Sequence, residues 1–358
     1  MRKKNSKTYT VIGLMSGTSM DGLYIAVCIF KKNVDQWEFK IIEAETIAYD
    51  LKFQSELENA QNLPALEFWK LHVDFGRKIG SWVNKFLNGK NFSVDLISSH
   101  GHTIFHQPGK NGITCQIGHA AEIAAATGIT TVSDFRSLDV AYNGQGAPLV
   151  PLGDKLLFQN FDSCLNLGGI ANISIHKKNK TTAFDICAVN QIFNHLASWK
   201  NKSFDEGGNI GRQGKMIEEL MMKLNSSDFY SLKGPKSLGR EWVEKEILPL
   251  LNFEEHSTED IANTYYKHVQ FQIQKIFTEF EIGNCLISGG GANNSFLVEL
   301  LRLNTKTEII IPEKIIIEYK EALIFAFLGL LRYKNEENTL SSVTGAVKNS
   351  SGGCIYLP

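Results

Sequence analysis

Apolar and polar positions divide the chain into elements before any residue is given a role. Val11-Ile12-Gly13-Leu14-Met15 is an apolar run that breaks at Ser16-Gly17-Thr18-Ser19-Met20-Asp21-Gly22 and resumes as Leu23-Tyr24-Ile25-Ala26-Val27-Cys28-Ile29-Phe30. Two strands joined by a small-residue tip are predicted, with Phe39 to Thr46 as a third strand of the same meander. Pro64 then opens a helix whose Leu66, Trp69, Val73, Ile79, Trp82, Val83 and Phe86 share one face. Asp95 to His100 reads as a strand, Ala120 to Thr127 as a small-residue helix and Thr130 to Ser133 as a strand. The opening pattern then recurs. Ser163 to Leu167 is a strand, Gly168 to Asn172 a glycine turn, and Ile173 to Ile175 resumes the strand before Thr182 to Asp185. Ser257 and Asp260 form a capping box for a helix from Thr258 to about Phe280, striped by Ile261, Tyr265, Val269, Ile273, Ile276 and Phe280. Asn284 to Ser288 is a strand running into Gly289-Gly290-Gly291, and Ala322 to Leu331, apolar nearly all round, is a buried helix.

Three strands, a helix, a strand, a helix and a strand is the order of one actin-like half. Two strand, glycine turn, strand units spaced about 150 residues apart amount to an internal duplication. With 358 residues and 43% hydrophobic content the chain exceeds one core. The expectation is therefore an α/β protein of two actin-like (ribonuclease H-like) domains, 1–155 and 156–358, around an interdomain cleft, with the last helix packing back on the first domain. A formal charge of −1 leaves no electrostatic footprint for nucleic acid or an anionic membrane surface. The apolar run near the start is short and interrupted, unlike a signal peptide, and no stretch has the length of a membrane span. Six scattered cysteines without metal-type spacing fit reduced thiols in a cytoplasmic protein.

The glycine turns are the places for chemistry. Gly17 and Gly22 let the first tip fold tightly around an anion, Ser16, Thr18 and Ser19 add hydroxyl donors, and Asp21 is placed for a metal ion or a substrate hydroxyl. Taken alone, this reads first as a Gly-rich surface turn. With Gly168-Gly169 and Gly289 to Gly291, each after an apolar strand, the set reads as a two-domain ATPase in which the first two turns pinch phosphates and the third lies beneath the nucleoside. Asn166, Asn172 and Asn293 would supply orienting hydrogen bonds. By residue type alone, Asp185 is a cap for the following helix, Arg136 an ion-pair partner between Asp134 and Asp139, and Glu321 a helix-start acid. His100-Gly101-His102-Thr103-Ile104-Phe105-His106 has the look of a metal site, but no Asp or Cys completes a zinc set.

The stretches Gly13 to Gly22, Ser133 to Val140, Gly144 to Pro151, Asn166 to Ile173, Gly289 to Ala292 and Ser342 to Ala346 together resemble the anhydro-N-acetylmuramic acid kinases of the actin-like ATPase superfamily. The resemblance covers essentially the whole chain. It implies an ATP- and Mg²⁺-dependent enzyme of cell-wall recycling that opens the 1,6-anhydro ring with water and phosphorylates the freed 6-oxygen. By the same resemblance Asp185 is the base for the attacking water. Gly17, Thr18, Ser19, Met20, Asp21, Gly22, Gly168, Gly169, Asn172, Gly289, Gly290 and Gly291 hold the nucleotide, with Asp21 on the metal. Arg136 takes the lactyl carboxylate, and Thr103 and Glu321 contact the sugar. Closure of the domains on ligand follows, since the turns of both halves serve one γ-phosphate. The residues do not choose between a monomer and a homodimer. Tyr24, His102, the stretch Gly118-His119-Ala120 and the segment Ile186 to Val189 depart from the family pattern. They keep two other readings in play: a kinase for a different anhydro-sugar, and a sugar- or nucleotide-binding relative without turnover.

Overall fold

A computed structural model of the chain describes residues 7–358 other than 18, 35, 178, 179, 233 and 252–254, with the side chain of residue 110 also outside the description. The chain divides into two compact units, residues 1–158 with 319–358, and residues 159–318.

In the first unit, β1 (Thr8–Ser16), β2 (Gly22–Asn33) and β3 (Gln36–Ala48) form an antiparallel meander. Then β4 (Leu96–Gln107) pairs parallel with β1, β5 (Ile113–Ile117) folds back on β4, and β6 (Thr131–Ser133) adds parallel to β4. Helices α1 (Ala65–Leu87) and α2 (Ala120–Thr127) belong to this unit. Phe75, Ile79, Val83 and Phe86 of α1 and Ile123 of α2 form one core with Ile12, Leu14, Ile25 and Ile97 of the sheet. The apolar stripe of α1 is shorter than its sequence predicts. Leu66 and Trp69 are exposed, and burial begins at Phe75, where Gly76 and Gly80 let the helix approach α2 closely.

In the second unit, β7 (Ser163–Leu167), β8 (Ile170–Lys177) and β9 (Lys180–Ala188) repeat the meander, β10 (Asn284–Ser288) pairs parallel with β7, and β11 (Glu308–Ile310) pairs parallel with β10. The order β11-β10-β7-β8-β9 matches β6-β4-β1-β2-β3 of the first unit, so the strand order of an actin-like half occurs twice. One face carries a large core shared with α3 (Asn190–Ser198), α4 (Thr258–Glu279) and α5 (Ser295–Arg302). At the start of α4 the capping is one-sided. Ser257 Oγ accepts from the Asp260 N–H at 3.1 Å, but the Asp260 carboxylate turns away to accept from the Lys215 N–H at 2.6 Å.

The chain re-enters the first unit inside helix α6 (Lys314–Tyr333), at Tyr319, whose φ of −118° and ψ of 15° are not helical. Beyond that bend Ala322 to Leu331 are buried against the sheet face opposite α1. Phe327 meets Phe30 and Trp37, and Ser98 Oγ donates to the Phe325 carbonyl. Covered on both faces, β1 and β2 read as near-continuous apolar runs. The last strand, β12 (Cys354–Tyr356), pairs antiparallel with β6. All six cysteines are free thiols. Among the described residues no helix is long and apolar enough to cross a membrane.

Candidate active site

The tip between β1 and β2 is tight because its residues allow it. Met20 sits at a φ of 53°, its N–H donating to the Gly17 carbonyl at 3.1 Å. A Cβ on Gly22 would lie 2.5 Å from the Ile47 carbonyl oxygen, so only glycine lets β2 start this close to β3. Asp21 is exposed, and among the described residues no Lys or Arg pairs with it. Its oxygens accept instead from hydroxyls: Oδ1 from Ser19 Oγ at 2.6 Å, Oδ2 from the Tyr24 phenol. Hydroxyls and an unneutralised carboxylate are the hard oxygen donors that Mg²⁺ takes alongside nucleotide phosphates, so the residues present fit the ion. Thr18, expected beside them, lies outside the described residues. Behind the tip, buried Ser16 accepts from the Tyr49 hydroxyl at 2.8 Å and pairs with His102 Nδ1 at 3.0 Å.

Arg136 makes no ion pair with its sequence neighbours. Asp139 is fully buried and accepts from the Gly146 N–H and the Thr344 hydroxyl, both at 2.8 Å, which ties the Gly144 to Pro151 and Ser342 to Ala346 stretches together. Asp134 accepts from the Ser137 hydroxyl. The Arg136 guanidinium donates through Nε (3.1 Å) and Nη2 (2.8 Å) to His100 Nε2 and through Nη1 (2.7 Å) to the Gly146 carbonyl. One N–H on each terminal nitrogen is left over. Burial lowers the Arg136 guanidinium to about 10, with Glu321 and then Asp139 opposing the fall. Burial, then Arg136, pushes the His100 imidazole well below its usual range, so His100 is neutral and donates Nδ1–H to the Gly101 carbonyl.

With His102 on Ser16 and His106 on Thr114, each histidine of that run has a separate partner, and zinc has no ligand set there. Thr103 is half-buried in β4, opposite Gln116. Glu321 lies within α6 and not at its start, but only two residues past the Tyr319 bend. Its side chain reaches solvent; crowding by protein raises its carboxyl, with Arg136 and then Lys320 opposing the rise.

In the second unit two glycine turns form one structure. Gly168-Gly169 is the β7–β8 tip, with Asn172 already on β8. The Gly169 carbonyl accepts from the Val189 N–H at 2.8 Å and the Gly168 carbonyl from the Asn190 N–H at 3.2 Å, at the start of α3. Gly289, at a φ of 80°, lies against the end of β7: a Cβ there would be 2.4 Å from Asn166 Oδ1 and 2.9 Å from the Leu167 carbonyl oxygen. Gly291 is equally close to Leu167, and Gly290 passes the Asn190 amide.

Across the strands, Ser288, Asn166, Asn172 and Asp185 are directly paired in register, so their side chains share one face of the sheet. Asp185 is held there by a bulge, since the pairing skips a residue between Asp185 and Cys187. It lies inside β9 and does not cap α3, whose N-cap is Val189. Its N–H donates to the Lys236 carbonyl at 2.9 Å, and its Oδ2 accepts from the Leu238 N–H at 2.8 Å. Burial raises the Asp185 carboxyl above the usual carboxylate range, the Leu238 N–H opposing the rise.

The structure adds a segment that pattern reading passes over, Asp205-Glu206-Gly207-Gly208-Asn209. Gly207 and Gly208 have φ of 61° and 75°, and buried Asp205 accepts from the N–H groups of Ile210 and Gly211 and from the Tyr266 hydroxyl. Ser295 Oγ donates to the Gly207 carbonyl, and Asn294 donates to the Tyr266 hydroxyl, so this loop backs onto the residues after the Gly289 turn. The Gly-Gly pair just after an acid was the available signal.

A family model for anhydro-N-acetylmuramic acid kinase matches residues 9–358. The anhydro-N-acetylmuramic acid kinases of Bacillus thuringiensis subsp. konkukian and Bacillus cereus are each 33% identical to this chain, covering 97% of it and 99% of their own length. Among solved structures, the activator of the 2-hydroxyisocaproyl-CoA dehydratase from Clostridium difficile with bound ADPNP aligns over 91% of this chain and 96% of its own, at 15% identity and a TM-score of 0.44. On the full-length match and the identity of these relatives, the chain belongs to the anhydro-N-acetylmuramic acid kinase family.

Proposed function

We propose that the chain opens 1,6-anhydro-N-acetylmuramic acid with water and phosphorylates its 6-oxygen from ATP, a reaction of cell-wall recycling in the cytoplasm. The observation that carries this reading is Asp185. It is a half-buried carboxylate at a bulge, oriented by the Leu238 N–H, raised by burial and in line with Asn172 and Asn166 beside two merged glycine turns. A raised carboxyl is better matched to taking a proton from water near neutral pH. The water oxygen bonds to the anomeric carbon, its proton passes to Asp185, and the bond from that carbon to the 6-oxygen breaks. The 6-oxygen takes the γ-phosphoryl group, and ADP leaves. Gly17, Ser19, Met20 and Gly22 with Thr18, and Gly168, Gly169, Gly289, Gly290 and Gly291, would cradle the nucleotide, with Asn172 orienting it. Asp21 would hold Mg²⁺, which when bound neutralises charge on the phosphates. Thr103 and Glu321 would meet sugar hydroxyls, and the two remaining Arg136 N–H groups the lactyl carboxylate.

That commitment of Arg136 to His100 and Gly146 favours one second reading, an anhydro-sugar without the lactyl group. Coupled ADP release on 1,6-anhydro-N-acetylmuramic acid and on 1,6-anhydro-N-acetylglucosamine separates the two. The proposal expects turnover concentrated on the first; preference for the second would replace it, and turnover on neither would remove the reaction.

A further inference from the structure

We propose that Tyr24 is the positioning residue of the cation site: its hydroxyl fixes one carboxylate oxygen of Asp21 so that the other is presented to a divalent ion. This rests on the reading of Asp21 as the metal-holding acid. Asp21 has two hydroxyl partners, and they differ in how firmly they are held. Ser19 is exposed on the tip. Tyr24 is half-buried on β2, a strand paired on both sides, with Met15 opposite it on β1 and Thr46 on β3. When a cation arrives Ser19 is the partner free to yield, and Tyr24 stays.

Tyr24 is itself braced. The Tyr319 ring meets it edge-on, with centroids 5.9 Å apart at 67°, and the Tyr319 hydroxyl shares a hydrogen bond of 3.1 Å with Thr46 Oγ1. Tyr319 is the residue at which α6 departs from helical geometry. The main chain of Asp21 is anchored too, its carbonyl accepting from the Tyr49 N–H at 3.2 Å. A ligating carboxylate whose second oxygen is held by a rigid donor binds metal more tightly, and removing such a donor typically costs about 10- to 100-fold in affinity.

The test is titration of the ADP-loaded protein with Mn²⁺, followed by loss of the free-ion paramagnetic resonance signal, for the parent, Tyr24→Phe and Asp21→Asn. Phenylalanine keeps the packing on Tyr319 and removes only the hydroxyl. The expected result is Mn²⁺ binding weakened about tenfold in Tyr24→Phe, the lower end of such effects, with metal-free ADP affinity unchanged and a larger loss in Asp21→Asn. If Asp21→Asn loses the ion while Tyr24→Phe binds it as the parent does, or more tightly, the positioning role is overturned and the metal assignment stands. If Asp21→Asn binds Mn²⁺ like the parent, the metal assignment fails and the role of Tyr24 fails with it.

Discussion

His100 decides what Arg136 can do. A neutral imidazole with Nδ1 protonated offers Nε2 as an acceptor, and Arg136 leans on it through two nitrogens while Gly146 takes a third bond. In its proposed role the arginine is already oriented, and one N–H of each terminal nitrogen would be available to a carboxylate. Arg136→Ala should weaken 1,6-anhydro-N-acetylmuramic acid by about 10- to 100-fold, the worth of roughly 1.5–3 kcal/mol for charge-assisted bonds. Binding titrations against the analogue lacking the lactyl group check this, since an equal loss on both sugars would make Arg136 a structural residue. None of this local arrangement was legible in the sequence, where Asp134 and Asp139 are the near neighbours. The partner that matters comes from β4, 36 positions away. Residue type alone reads Asp185 as a cap for a similar reason: an acid shortly before a helix looks like one, and a bulge that keeps it in the strand has no signature in a single sequence.

The elements were far more legible. The meander strands, the Ala120–Thr127 helix and α4 follow their apolar patterns closely, because burial on one or two faces imposes a period that side chains must obey. The glycine turns were visible as small-residue breaks in apolar runs, but their joining at Leu167 and Asn166 depends on the parallel pairing of β7 with β10, over a hundred residues apart in the chain. Short β5 and β12 carry too few residues for a period to show. Gly13 illustrates how an element constrains a single residue. A Cβ there would fall 1.9 Å from the Ala322 carbonyl oxygen, a backbone atom that can shift only if α6 lifts from the sheet. Gly13→Ala should therefore destabilise the first unit by about 1–3 kcal/mol or more, the usual size of overpacking. Chemical denaturation followed by the fluorescence of Trp37, which packs on α6 through Phe327, reads that loss; an unchanged midpoint would mean β1 and α6 do not meet as described.

At the scale of the molecule, the duplication was readable as two strand, turn, strand patterns, and both units carry the same strand order. The last helix is expected from the sequence to return to the first domain, but Ala322 to Leu331, apolar on every side, announces burial without naming the sheet residues that receive it. The answer lies in Gly13, Phe30 and Ser98, which receive that helix. Of the residues proposed to act, Asp21 and Arg136 lie in the first unit and Asp185 in the second. The proposed reaction is tested most directly by turnover of Asp185→Asn with 1,6-anhydro-N-acetylmuramic acid and ATP, alongside the binding of each. Asparagine keeps the shape and the acceptor for the Leu238 N–H, so both ligands should bind almost as before while turnover falls by about 10²–10⁴, the size of a general-base contribution. Turnover close to that of the parent, on a sugar the parent demonstrably phosphorylates, would contradict it.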